Sequence, residues 1–207
     1  MGIAINPYQV VKDFESALCA YTGAPYCVVT TSCTMAILLA CKWHNVQTVN
    51  IPSKTYVGVA MSIVNAGGTI NFWRDYDWHG TYKLDPYPIW DCARRFTKGM
   101  YKPSQYQCLS FHWSKILSIG QGGAILHDNS FADKWFWKAR FDGRTEDVHP
   151  KDDKFIMGYH AYMMPRDAAE GLSRLSLLPD VNADLPNDDY ADLSKADCFQ
   201  WKVMVQH

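Results

Sequence analysis

The chain has 207 residues, 48% of them hydrophobic, and a formal net charge of −1 from 20 basic and 21 acidic side chains. This length fits one domain, and the apolar fraction excludes a disordered chain. The balanced charge argues against a basic nucleic-acid module, and no apolar run reaches the roughly 18 residues that a membrane helix needs.

The first residues, Met1-Gly2-Ile3-Ala4-Ile5-Asn6-Pro7, have neither a charged n-region nor an apolar h-region, so no signal peptide is expected. Pro7 opens a helical pattern in which Val10, Val11, Phe14, Leu18 and Tyr21 recur on one face, and Gly23 supplies a helix cap. Residues 26–30 read as a strand, 31–34 as a polar turn and 35–43 as a buried helix. A second strand is expected over 46–51, stopped by Pro52, and a helix over 56–64, ended by Gly67 and Gly68. Residues 69–73 read as a third strand. Strand signals follow at 89–91, 107–111 and 123–127, and helix signals at 131–141 and 165–178, the last opened by Pro165. Strand alternating with helix predicts βαβ units, an α/β fold and a mostly parallel sheet covered on both faces. Beyond Leu178 the chain becomes rich in Asp, Asn and Pro, and 179–207 reads as a tail or surface extension to a domain spanning 1–178.

The seven cysteines are an odd number, none is spaced as CxxC, and most lie in apolar runs. Free thiols and a reducing compartment, the cytoplasm, are expected. Cys33, Cys41 and His44, and likewise Cys92, Cys108 and His112, lack a recognised ligand spacing, so no metal site is expected. Gln121-Gly122-Gly123-Ala124 is no phosphate loop of the Walker type, since no Gly-Lys-Ser/Thr follows.

Ligands of parallel sheets bind at the carboxyl ends of the strands. After the first strand come Ser32, Cys33 and Thr34, where a helix begins and unpaired amides favour an anion. Asp91 ends the strand at 89–91 and suits a cationic partner. Lys115 follows the strand at 107–111; desolvation there favours the neutral, nucleophilic amine. Gly120, Gly122 and Gly123 permit a tight backbone path around it. Each residue alone has a plain alternative: a helix cap for Ser32 or Asp91, a solvated charge for Lys115. Together they match what pyridoxal 5'-phosphate needs: a phosphate site, a carboxylate for the pyridine nitrogen and a Schiff-base lysine.

Several segments resemble the DegT/StrS-type sugar aminotransferases, in family order. Phe14-Glu15 with Tyr21-Thr22-Gly23 is similar to the opening helix. Val28 to Ala36 resembles the AVSSGTAA segment, and Ile51-Pro52-Ser53-Lys54-Thr55-Tyr56-Val57 resembles VPSxTF. Ile89-Trp90-Asp91-Cys92-Ala93 is similar to VIEDAA. Ser110-Phe111-His112-Trp113-Ser114-Lys115 followed by Gly120-Gln121-Gly122-Gly123-Ala124 is similar to SFHxSK and GEGGA, the most specific pieces. Phe141-Asp142-Gly143-Arg144 resembles NHGR, and Met164-Pro165 with Ala168-Ala169 a later helix.

The resemblance implies the large domain of the type I aminotransferase fold. It also implies a homodimer, and transfer of an amino group from an amino acid, glutamate or glutamine, to a nucleotide-linked keto sugar. Lys115 would be the Schiff-base lysine and proton carrier, and Asp91 the partner of the pyridine nitrogen. Tyr56 and Ala93 would flank the ring; Ser110, Thr34, Ser32 and Cys33 would hold the phosphate. Arg94 replaces a Gln or His that sits near the cofactor's phenolic oxygen; it would lower the Schiff base's pKa, face a nucleotide diphosphate, or face water. Ala161 replaces an Asn that reaches the partner's phosphate. The family is nearly twice as long, so the small C-terminal domain is expected to be largely missing. A helix and strand between Asp77 and Ile89 are also expected to be missing, leaving the flanking strands paired directly in a sheet of about six. Two other readings are a cofactor- or sugar-nucleotide-binding protein without turnover, and a structural relic that binds nothing.

Overall fold

The computed structural model describes residues 6–74 and 76–200; the leader reading at residues 1–5 lies outside them. Five helices and seven strands follow in the order α1 (Gln9–Thr22), β1 (Tyr26–Thr30), α2 (Cys33–Trp43), β2 (Thr48–Pro52), α3 (Val57–Asn65), β3 (Thr69–Trp73), β4 (Tyr82–Leu84), β5 (Ile89–Asp91), β6 (Tyr106–Ser110), β7 (Gly123–His127), α4 (Ser130–Arg140) and α5 (Pro165–Leu175). Two short 3-10 turns, Leu193–Lys195 and Asp197–Phe199, end the described chain.

The sheet is mixed, which corrects the expectation of a mostly parallel one. Its main body is ordered β1-β7-β6-β5-β4, and β2 and β3 form a parallel pair beside it. Strand β7 runs antiparallel to both β1 and β6, β4 is antiparallel to β5, and β5 is parallel to β6. Asn50 of β2 and Asp85, one residue beyond β4, exchange backbone hydrogen bonds of 2.7 and 3.1 Å in an antiparallel bridge. That bridge links the pair to the body, so seven strands lie side by side.

Strand β4 also corrects the expected direct pairing of flanking strands. The stretch between Asp77 and Ile89 is too short for a crossover helix, which a parallel neighbour would require. It turns back instead and lays three residues antiparallel against β5. A short turn joins β4 to β5, and a long loop over residues 111–122 joins β6 to β7; the alternation of strand and helix upstream carried no signal for either antiparallel strand.

Side chains alternate across the sheet into two cores. Val28, Cys108 and Ile125 face one, with Ile37, Leu39, Ile63 and Phe136 from α2, α3 and α4. Cys27, Val29, Leu109, Ala124 and Leu126 face the other, with Phe14 and Leu18 of α1 and Ala168 and Leu175 of α5. The strict period of two in β1, β6 and β7 thus places helices on both faces. Gly171 lets α5 approach α1, since a Cβ there would sit 2.5 Å from the Phe14 ring.

The helix ends are set locally. Gly23 takes a φ of 81° and donates to the Cys19 carbonyl, closing α1. Ser32 caps α2 by accepting from the Met35 amide at 3.2 Å. Asn129 caps α4 through the amides of Phe131 and Ala132. No helix among the described residues is long and apolar enough to cross a membrane.

Residues 179–200 run back over the body. Leu193 is buried and its amide donates to the Ser53 carbonyl at 2.9 Å, while the Leu185 amide donates to the Arg94 carbonyl at 2.9 Å.

Candidate active site

The residues expected to hold the cofactor lie around one cavity, whereas Ala161 does not line it. Ser32, Cys33, Thr34, Tyr56, Asp91, Ala93, Arg94, Ser110 and Lys115 all line it, and its volume is about 240 Å³. They arrive from four places: the turn after β1, the start of α3, the end of β5 and the loop after β6.

The first wall is the start of α2. The amides of Cys33 and Thr34 have no partner within the helix. Two glycines keep this end open. A Cβ on Gly123 would lie 2.4 Å from the Cys33 nitrogen, and one on Gly58 would lie 2.8 Å from the Thr34 hydroxyl. The close approach of β7 to the helix start therefore requires glycine at the start of β7. Thr31 is tied to the backbone of Ala161, which is fully buried, by a 2.9 Å hydrogen bond.

Asp91 forms the floor. It is 5% exposed at the end of β5, and its Oδ1 accepts from the Ala93 amide at 2.9 Å. Burial pushes its carboxyl up from the usual range; the Ala93 amide, the Tyr82 hydroxyl and the charges of Lys115 and Arg94 pull it back. Tyr82 is itself fixed by a 2.6 Å hydrogen bond with Thr55.

Lys115 hangs from the loop between β6 and β7. Backbone bonds pin that loop at both ends, Phe111 to Gly122 at 2.9 Å and Trp113 to Gly120 at 3.2 Å. Gly120 and Gly122 take φ values of 95° and 148°, which side-chain-bearing residues rarely adopt. Burial lowers the Lys115 pKa, and repulsion from Arg94 lowers it further, against attraction from Asp91 and the Cys33 thiol. The shift is in the direction of the neutral amine, the nucleophilic form.

The fold and the sequence match known proteins. Residues 2–102 and 99–185 match the model of the DegT/DnrJ/EryC1/StrS aminotransferase family. The chain belongs to this family. Its sequence is 28% identical over 144 residues to the spore coat polysaccharide biosynthesis protein SpsC of Bacillus subtilis, covering 67% of this chain and 36% of SpsC. Its fold is similar to that of the sugar aminotransferase CalS13 from Micromonospora echinospora, with a TM-score of 0.68, 18% identity, and coverage of 81% of this chain and 60% of that one. It is likewise similar to NtdA from Bacillus subtilis with bound cofactor PMP, with a TM-score of 0.67, 19% identity, and coverage of 82% and 48%. The chain therefore spans between about a third and three fifths of the length of these relatives.

DegT-family aminotransferases use pyridoxal 5'-phosphate, and this cavity has the chemistry for it. The open amides of α2 suit a phosphate. The buried Asp91 carboxyl, whose charge burial disfavours, would regain a counter-charge from a protonated ring nitrogen. Lys115 is a desolvated amine within the same cavity. Among the described residues, no group of three or more His, Cys, Asp or Glu side chains could hold a metal ion.

Arg94 does not face water. It is 4% exposed, and its guanidinium donates to the Pro186 carbonyl, the Asp188 carboxylate and the Tyr190 hydroxyl. Asp188 and Tyr190 line the cavity with it, as do Trp78 and Thr55. The sequence reading missed these four. A signal for Asp188 existed: Asp180, Asp184 and Asp188 recur every fourth residue and meet Lys98, Arg95 and Arg94 in reverse order.

Proposed function

We propose that this chain binds pyridoxal 5'-phosphate in the cavity and transfers an amino group from an amino acid, glutamate or glutamine, to a nucleotide-linked keto sugar. One observation carries the reading. A buried carboxylate, a desolvated lysine and an open helix N-terminus share a single cavity in a chain of this family. When bound, the cofactor supplies a carbonyl carbon for the amine and an electron-withdrawing ring.

The chain's residues divide the remaining work. The amides of Cys33 and Thr34, with the hydroxyls of Thr34 and Ser110, hold the phosphate; the Ser32 hydroxyl is already engaged as the helix cap. Asp91 keeps the ring nitrogen protonated and fixes the ring's orientation. Tyr56 and Ala93, which line the cavity, would flank the ring. Lys115 would hold the cofactor through its amine, and its Nζ would take a proton from the substrate carbon and return it. The downward shift of this amine's pKa suits both tasks, because a permanent ammonium could do neither.

A homodimer fits the surface at the cavity mouth. Trp113, two residues before Lys115, is 71% exposed and Tyr56 is 57% exposed. A second copy covering these rings would close the site and remove apolar surface from water. All seven cysteines are free, which suits a reducing cytoplasm.

The test is an absorption spectrum of the purified protein with added cofactor, before and after borohydride, beside Lys115→Ala. A visible band and a reduced adduct mapped to Lys115 support the reading; no band and no adduct overturn it. Amino-sugar formation from keto sugar and glutamate then completes it. An adduct without turnover would mean a binding protein.

A further inference from the structure

A buried arginine needs an anion. Arg94 is enclosed against the cavity, and the carboxylate that meets it belongs to Asp188, whose side chain is 70% exposed. The two partners thus differ in freedom. The guanidinium is fixed; the carboxylate sits on an extended segment at the protein surface.

The segment is fastened on both sides of Asp188. Before it, Arg95 donates to Asp184 at 2.8 Å and the Leu185 amide donates to the Arg94 carbonyl. After it, the Leu193 amide donates to the Ser53 carbonyl and the Leu193 side chain is buried. Tyr190 stacks on Trp78, with ring centroids 6.2 Å apart and planes 18° apart. Asp188 can therefore swing out between two fixed points without the segment coming away.

We infer that Asp188 is an internal stand-in for a substrate oxyanion, and that the incoming anion takes its place on Arg94. The ligand class is a carboxylate or a phosphate: the carboxylate of the amino donor, or the phosphate of a linked nucleotide. Release of Asp188 with nothing to replace it would leave a buried charge unpaired, which is strongly unfavourable. The Asp188 carboxylate is therefore coupled to occupancy, seated on Arg94 when the cavity is empty and swung outward when an anion arrives, while the fastened segment on either side stays in place. Arg94 then serves as the anion-specificity residue of the site, with Asp188 and Tyr190 as its keepers. The amino-transfer reading enters only in naming the ligand; the ion exchange at Arg94 stands on the geometry.

Titration of the full chain, with cofactor added, by glutarate and separately by inorganic phosphate tests the inference. Asp188 is exposed, so Asp188→Asn should fold normally. Removal of the internal competitor should tighten binding of one anion about tenfold, and which anion gains identifies the source. Arg94→Gln should abolish that binding. Since this variant loses a buried charge and can misfold, hydrogen exchange on the wild type gives a second readout. Bound anion should speed exchange of the Tyr190 amide, which donates to the Asp188 carbonyl at 2.9 Å. A ligand that merely covered the segment would slow it. Equal affinities in wild type and Asp188→Asn, or slowed exchange at Tyr190, would overturn the inference. The cofactor band of the same samples reports separately on the amino-transfer reading: a normal band with unchanged anion affinity sinks the exchange and spares the chemistry.

Discussion

The cavity has two walls built by different means. One consists of strand ends and a helix start, with Ser32, Asp91 and Lys115 carried on backbone that the two hydrophobic cores hold in place. The other is the segment from Asp180 to Leu193, laid over the body and fastened by ion pairs to Lys98, Arg95 and Arg94. Position in the first wall follows from burial and from glycines that admit no substitute. Position in the second rests in part on charge at the surface, which water and salt weaken. Chemistry that needs fixed geometry belongs on the first wall, and exchange with solvent belongs on the second.

The comparison is broken most severely at Lys115. Lys115→Ala should cost about a thousandfold or more in turnover, since it would remove the proposed nucleophile and proton carrier. The thermal midpoint should change little, because the amine is destabilised by burial in the first place. Kinetics of amino-sugar formation beside a melting curve would check this. A large drop in stability would mean that Lys115 is structural.

The glycines on opposite faces of the sheet give the next contrast. A Cβ at position 123 meets the backbone of Ser32 and Cys33, whereas one at 171 meets the ring of Phe14. Overpacking of this kind costs about 1–3 kcal/mol at either place. Gly123→Ala should also weaken cofactor affinity, because the α2 amides must shift. Gly171→Ala should leave it unchanged. Equal affinity losses in a cofactor titration would show that the first wall is not held independently.

The motif-bearing wall was legible in the sequence and the fastened wall was not. Asp91 ends one short apolar strand and Lys115 lies in the loop after another, so strand periodicity places both toward the carboxyl ends of their strands. Ser32 is a helix cap visible from its neighbours. Strand β4, by contrast, is three residues long and polar at Lys83, and its pairing depends on the long-range bridge between Asn50 and Asp85. Its antiparallel direction, like that of β7, is a tertiary outcome with no local pattern. Residues 180–193 read as surface because each is polar or lies among polar neighbours. Only the facing row of Arg94, Arg95 and Lys98 turns that polarity into a wall, and such pairing is invisible one segment at a time.

Acid should test the buried body. His127 is fully buried between the Tyr26 and Tyr106 rings, with centroids 5.5 and 5.7 Å away, and burial pushes its pKa down to about 4. The folded value lies below the unfolded one, near 6.5, so the neutral ring is the native form. Its contribution is present above about pH 6.5 and is lost as pH falls toward 4, on the order of 2 kcal/mol. Asp133, 3.6 Å away and pushed up to about 6 by burial, acts in the opposite sense, gaining as it is protonated. Urea midpoints between pH 7 and pH 4 should therefore fall less in His127→Phe than in the wild type. Identical profiles would mean that His127 protonates in the fold without penalty.

The smallest effect is expected at the outer fastenings, and it carries the finest distinction. The Lys98–Asp180 pair is exposed on both sides, while Arg95–Asp184 is half-covered. Exposed pairs contribute little, and half-covered ones about 0.5–1 kcal/mol at low salt. Asp184→Asn should thus lower stability by about 1 kcal/mol at most, with the loss fading above roughly 0.5 M salt as screening removes what the wild type had. The first wall should not register it: the cofactor band of Asp184→Asn should equal that of the wild type. If the band weakened along with the fastening, the two walls would share one support, and the segment over Arg94 would belong to the cofactor site itself rather than to a gate beside it.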